Sequence, residues 1–103
     1  MITALFKVSE AGSYKGFSVS GHSGYSEAGS DIVCAAVSSA VMLTVNSCID
    51  GFDVNAEPEV IDDTVKFIVN KPSENADRLI GSLREHLEAL SEEYPDNIAV
   101  VVK

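Results

Sequence analysis

Asp31-Ile32-Val33-Cys34-Ala35-Ala36-Val37-Ser38-Ser39-Ala40-Val41-Met42-Leu43-Thr44-Val45-Asn46-Ser47-Cys48-Ile49-Asp50-Gly51 is a long uncharged run closed at each end by an aspartate. Thirteen of the eighteen positions from 32 to 49 are Ile, Val, Cys, Ala, Met or Leu. Such a run is long enough to suggest a membrane span. Ser38, Ser39, Thr44, Asn46 and Ser47 interrupt it, however, and Asp31 and Asp50 stand where an inserted helix usually shows Lys or Arg. The run is therefore expected to form a buried core helix. Ser30 or Asp31 supplies an N-cap oxygen for the first orphan amides, and Asp50-Gly51 supplies a glycine where a helix often ends in a left-handed residue.

On the N-terminal side of this run, Ile2, Ala4, Phe6 and Val8 alternate with Thr3, Lys7 and Ser9, which is the period of a strand. A stretch with Gly12 and Gly16 follows, and Phe17-Ser18-Val19-Ser20 resumes the alternation, so these runs read as an antiparallel hairpin. Beyond the apolar helix, residues 53–61 and 64–69 read as two strands around Asp62-Asp63, with Pro58 marking the first as an edge or a bulge. Ala76, Leu79, Ile80, Leu83, Leu87 and Leu90 recur at spacings of three and four and predict an amphipathic helix that Pro95 stops. Ile98-Ala99-Val100-Val101-Val102 is continuously apolar, which suits a central strand covered on both faces. The order ββαββαβ predicts an α/β or α+β fold in which a mixed sheet packs against two helices, one of them the buried apolar helix.

The frame sets limits on function. A chain of 103 residues fits one domain, 1–103, whose modest core would gain from oligomerisation. With 16 acidic against 7 basic residues and a formal charge of -9, the chain is unsuited to nucleic acid backbones and permits a basic protein partner. No basic leader followed by an apolar stretch precedes the first strand, so a cytoplasmic protein is expected. Cys34 and Cys48 are fourteen residues apart on the predicted helix, about 21 Å along its axis, and are expected to be free thiols. No paired His and Cys spacing suggests a metal site, and no cofactor motif is present.

The chemistry-bearing residues gather where the second strand meets the apolar helix. Gly21-His22 opens a loop containing Gly24 and Gly29, and Cys34 falls in the helix's first turn. The orphan amides there amount to roughly half a positive charge, and a helix N-terminus beside an imidazolium is a setting that favours a thiolate. A lone cysteine at such a place is often a small core hydrophobe, so the residues alone leave both readings open. Asp31, Cys34 and Ser38 share one helix face. Asp31 is either a cap or an orienting carboxylate for His22, and the Ser38 hydroxyl bonds either a carbonyl one turn back or a substrate. The loop at 23–30 has little to anchor it in a core and is expected to be mobile in the free protein, closing to assemble the His22 and Cys34 pair. A phosphate cradle at the same glycine-rich helix start is the rival reading, and a non-catalytic adaptor is a third. Glu27 and Asp31, with no Lys or Arg in the loop, speak against phosphate.

Gly21-His22, a variable loop, and Asp31-Ile32-Val33-Cys34-Ala35-Ala36 with Ser38 beyond resemble the signature of the ribosomal-processing cysteine proteases, the Prp family. The resemblance implies a homodimeric endopeptidase that removes a short N-terminal extension from a large-subunit ribosomal protein. It implies Cys34 as nucleophile and His22 as general base, with Asp31, Ser38 and Gly21 as supporting positions. The oxyanion formed on attack is expected near the amides at the helix start.

Overall fold

A computed structural model describes residues 1–21 and 31–103. Among these, β1 (Ile2–Val8) and β2 (Tyr14–Ser20) precede α1 (Ile32–Asn46), which runs on as a π-helical turn over Ser47–Gly51. Then come β3 (Ala56–Ile61), β4 (Thr64–Val69), α2 (Glu74–Glu93) and β5 (Ile98–Val102). The five strands form one sheet in the order β3-β4-β2-β1-β5, with β5 parallel to β1 and the remaining pairs antiparallel. The expected ββαββαβ order and mixed sheet are those observed, an α+β fold.

The alternation in the strands decides which sheet face is covered. Ile2, Ala4 and Phe6 of β1, Phe17 and Val19 of β2, and Phe67 and Val69 of β4 are buried, whereas Thr3, Lys7, Lys66 and Ile68 between them are exposed. Both helices contribute to the same core cluster as that buried face. Register places Phe6 opposite Phe17 and Phe17 opposite Phe67, so an aromatic row crosses three strands with ring centroids 5.8 and 5.4 Å apart. Gly16 lies beside this row with φ +147°, next to a register shift at Lys7 and Val8, and a Cβ there would overlap the Phe67 carbonyl oxygen. Only glycine lets β2 and β4 close at that point.

The helix α2 follows its 3–4 spacing, burying Ala76, Ile80, Leu83 and Leu87. Ser73 caps it by accepting from the Ala76 amide at 3.1 Å. In its first turn Asp77 accepts from the Tyr14 amide (2.9 Å) and the Ser13 hydroxyl (3.0 Å), which ties the start of the helix to the β1–β2 turn.

The structure refines or corrects three expectations. The apolar helix α1 is buried along one ridge, Val33, Val37 and Val41, but Ile32 (58%), Met42 (64%) and Leu43 (69%) remain exposed, because the sheet is covered by a single helical layer. The apolar run of β5 forms an edge strand, not a central one. It escapes alternation because the positions facing away from the core, Ala99 and Val101, are half-buried, with Val101 beside Leu5 across the ladder. The left-handed residue after the long helix is Asp53 (φ 49°), reached after the π turn has carried the chain past Gly51. The reading of Pro58 as an edge marker holds, since β3 is the other edge.

Covering on one face only gives a direct test in urea unfolding. Phe67→Ala should lower the unfolding free energy by about 3–5 kcal/mol. Ile68→Ala, on the open face, should cost about 1 kcal/mol or less.

Candidate active site

The site begins with Asp31, whose extended backbone (φ -76°, ψ 105°) turns the chain into α1. Its Oδ1 accepts from the Val33 amide at 2.9 Å and the Cys34 amide at 3.0 Å, while its carbonyl accepts from the Ala35 amide at 3.1 Å. The side chain is only 6% exposed. The structure shows the cap; the other role that the sequence left open, orienting His22 or a loop amide, falls on residues outside those described. Two of the amides expected near the oxyanion, those of Val33 and Cys34, donate to this internal carboxylate. The same occupation weakens the phosphate-cradle reading, since the anion seat at this helix start is filled from within.

Cys34, half-buried and in no disulfide, sits in the first turn of α1. It lines a groove of about 360 Å³ between that helix and the sheet. Val37, Val41 and Val45 form the helix wall, Val19 and Val65 the floor, and Val60 the far side. Ser38, one turn beyond Cys34, also lines the groove and is exposed.

Gly21 closes the groove at the end of β2. Its φ of +89° and the overlap that a Cβ would make with the Met1 carbonyl oxygen leave room only for glycine where the chain departs towards His22. His22 and the loop at 23–30, with its expected mobility and closure, lie outside the described residues. The structure thus brings Gly21, Cys34 and Ser38 to one groove, with Asp31 holding the helix start behind the thiol.

The remaining candidates separate cleanly. Cys48 is fully buried in the π turn, and burial pushes its thiol above the ordinary range. His86 is exposed on α2 and is not part of the groove. A larger concavity of about 670 Å³ lies at the opposite end of β2, lined by Tyr14, Asp77, Arg84 and Glu88 among others. There the Arg84 guanidinium donates to the Tyr14 hydroxyl (3.4 Å) and to Glu88 (3.1 Å), and Ser82 donates to the Arg78 carbonyl. These groups bond one another, and no cysteine accompanies them. Among the described residues no three His, Cys, Asp or Glu side chains gather as a metal site. The far wall of the groove, from β3 and β4, had no local signal in the sequence, because long-range strand order alone brings it opposite Cys34.

Comparison with known proteins agrees with this geometry. The family model described as "Cysteine protease Prp" matches residues 1–99. The ribosomal processing protease Prp from S. aureus, in complex with a covalently linked product peptide, superposes with a TM-score of 0.89 at 25% identity over 100% of both chains. The same protease with a substrate peptide gives 0.84 at 24% identity, again over 100% of both. SMU.848 from Streptococcus mutans gives 0.79 at 27% identity, over 99% of this chain and 96% of the other. A search of curated proteins gives no match.

The two thiols should differ sharply in reactivity. Iodoacetamide near neutral pH should label Cys34 well before Cys48, which should react only when the fold opens; peptide mapping of timed aliquots measures both rates, and comparable rates would contradict the placement of Cys34 in the groove.

Proposed function

The chain belongs to the cysteine protease Prp family, and from that premise we propose that it is a ribosomal-processing endopeptidase in which Cys34 is the nucleophile and His22 its general base. The observation that carries this reading is the position of Cys34, presented to an apolar groove by a helix whose first turn Asp31 holds.

In this mechanism His22 takes the Cys34 proton and Sγ attacks the scissile carbonyl carbon. The C–N bond breaks as His22 returns the proton to the leaving amine, and the acyl group stays on sulfur as a thioester. His22 then accepts a proton from water, whose oxygen attacks the thioester, releasing the carboxylate product and restoring the thiol. The covalently linked product peptide of the S. aureus protease supports such an intermediate. Asp31 keeps Cys34 in place by capping, Gly21 directs the chain towards His22, and Ser38 is available to the bound peptide.

The proposed substrate is the N-terminal extension of a large-subunit ribosomal protein. The ribosomal-processing role of the S. aureus neighbour supports it, as does a charge of -9, which suits a basic protein and not direct nucleic acid binding. Two cysteines with no disulfide between them suit a reducing compartment, in keeping with action in the cytoplasm as a single domain. Incubation with the precursor protein tests the reading by mass spectrometry. Wild type should shorten the precursor, Cys34→Ala should leave it intact, and His22→Ala should cut it at least about 100-fold more slowly. Binding by wild type without cleavage would favour the adaptor reading instead.

We also propose that two copies associate through the exposed side of α1, where Ile32, Met42 and Leu43 form an apolar surface on an acidic protein. Light scattering should report a dimer for wild type and a monomer for Leu43→Glu.

A further inference from the structure

The groove beside Cys34 has a distribution of charge that the catalytic reading does not use. Among the described residues that line it, Asp63 is the one charged side chain; the others are apolar or neutral. Alternation along β3 explains why. Register pairs Pro58 with Phe67 and Val60 with Val65, which places Pro58 and Val60 on the groove side. Glu57 and Glu59 fall on the opposite face of the sheet, where Glu59 lies across from Lys66. The β3–β4 turn then returns the chain through Asp62, in the left-handed region at φ 54°, and sets Asp63 exposed at the groove's lip.

Nothing among the described residues neutralises that carboxylate, because their ion pairs, Arg78 with Glu74 and Arg84 with Glu88, both lie within α2. A negative charge at the edge of a low-dielectric, apolar channel focuses its field along the channel. A peptide lying there in extended form advances about 3.3 Å per residue, so a groove of this size takes a few residues of substrate.

We infer that Asp63 is a specificity residue of the protease, selecting peptides in which an apolar stretch in the groove is accompanied by a lysine or arginine that meets its carboxylate at the lip. This rests on the protease reading above and adds to it a charge rule for the substrate. Asp63 acts on substrate choice alone and takes no part in bond cleavage. It is exposed and does not hold the strained position of its turn, so it accepts substitution without disturbing the fold.

The test uses fluorogenic peptides spanning the cleavage point of the ribosomal precursor, with Lys, Gln or Glu placed in turn at each position, and reads kcat/KM for wild type, Asp63→Asn and Asp63→Lys. At one position wild type should prefer Lys over Gln by about two- to fivefold, the range of an exposed ion pair. That preference should shrink with added salt, fall to near unity in Asp63→Asn, and invert towards Glu in Asp63→Lys. A structural role for Asp63 would lower all three peptides together and would not invert their order. A Lys preference identical in the three proteins, or no charge preference at any position, overturns the inference while leaving the protease reading intact. A wild type that cleaves none of the peptides overturns the protease reading and this inference with it.

Discussion

The carboxylate of Asp31 fixes where everything chemical in this protein begins. Two amides converge on one of its oxygens, at 2.9 and 3.0 Å, and one of them belongs to Cys34 itself. The helix start, the orientation of its first turn and the direction in which the thiol is presented are therefore set by one buried anion. A capping side chain of this kind is worth about 0.5–2 kcal/mol to the helix. The helix that it caps is the wall of the groove and lays the ridge of Val33, Val37 and Val41 in the core. The same anion answers the positive end of the helix dipole. In the proposed mechanism, proton handling accordingly falls to His22, and stabilisation of the oxyanion falls to donors other than the Val33 and Cys34 amides.

The legible parts of the fold were those in which a local pattern has one physical cause. The α2 stripe at 76, 80, 83 and 87 buries one face because side chains three and four apart share it. The β1–β2 alternation gave a hairpin, and Pro58 gave an edge strand because a residue without an N–H is tolerated where no neighbour asks for one. The Gly21-His22 and Asp31-Ile32-Val33-Cys34 pattern was legible as well, and the family match over residues 1–99 agrees with it. What the sequence concealed was long-range. An apolar run such as α1 has no polar face to reveal which side meets the core, and β5 looked central because its outward positions are shielded by their own row of the sheet. The lip of the groove was hidden for the same reason: Asp63 looked like half of a turn signal until strand order carried the β3–β4 hairpin past β2.

One helix thus serves two surfaces. The ridge of Val33, Val37 and Val41 is inserted in the core, and burying each such side chain contributes about 1.5–3 kcal/mol. Ile32, Met42 and Leu43 on the other side remain exposed, and the proposed dimer would cover them. Met42 belongs to both surfaces, since it is exposed and also lines the groove. A partner covering that side of α1 would therefore touch the wall of the groove. As proposed, association and substrate binding would share that side chain.

The proposed catalytic pair is divided between two supports of different kinds. Cys34 belongs to a capped helix packed on the sheet, so its position is inherited from the core. His22 follows Gly21, the last described residue before the loop, where the chain leaves β2 over the Met1 carbonyl with φ +89°. Any side chain at 21 would overlap that carbonyl and would strain the left-handed backbone as well. The glycine is therefore required by where the N-terminal strand begins, and not only by the loop that follows. The first residue of the chain, by lying under Gly21, helps to set where β2 ends.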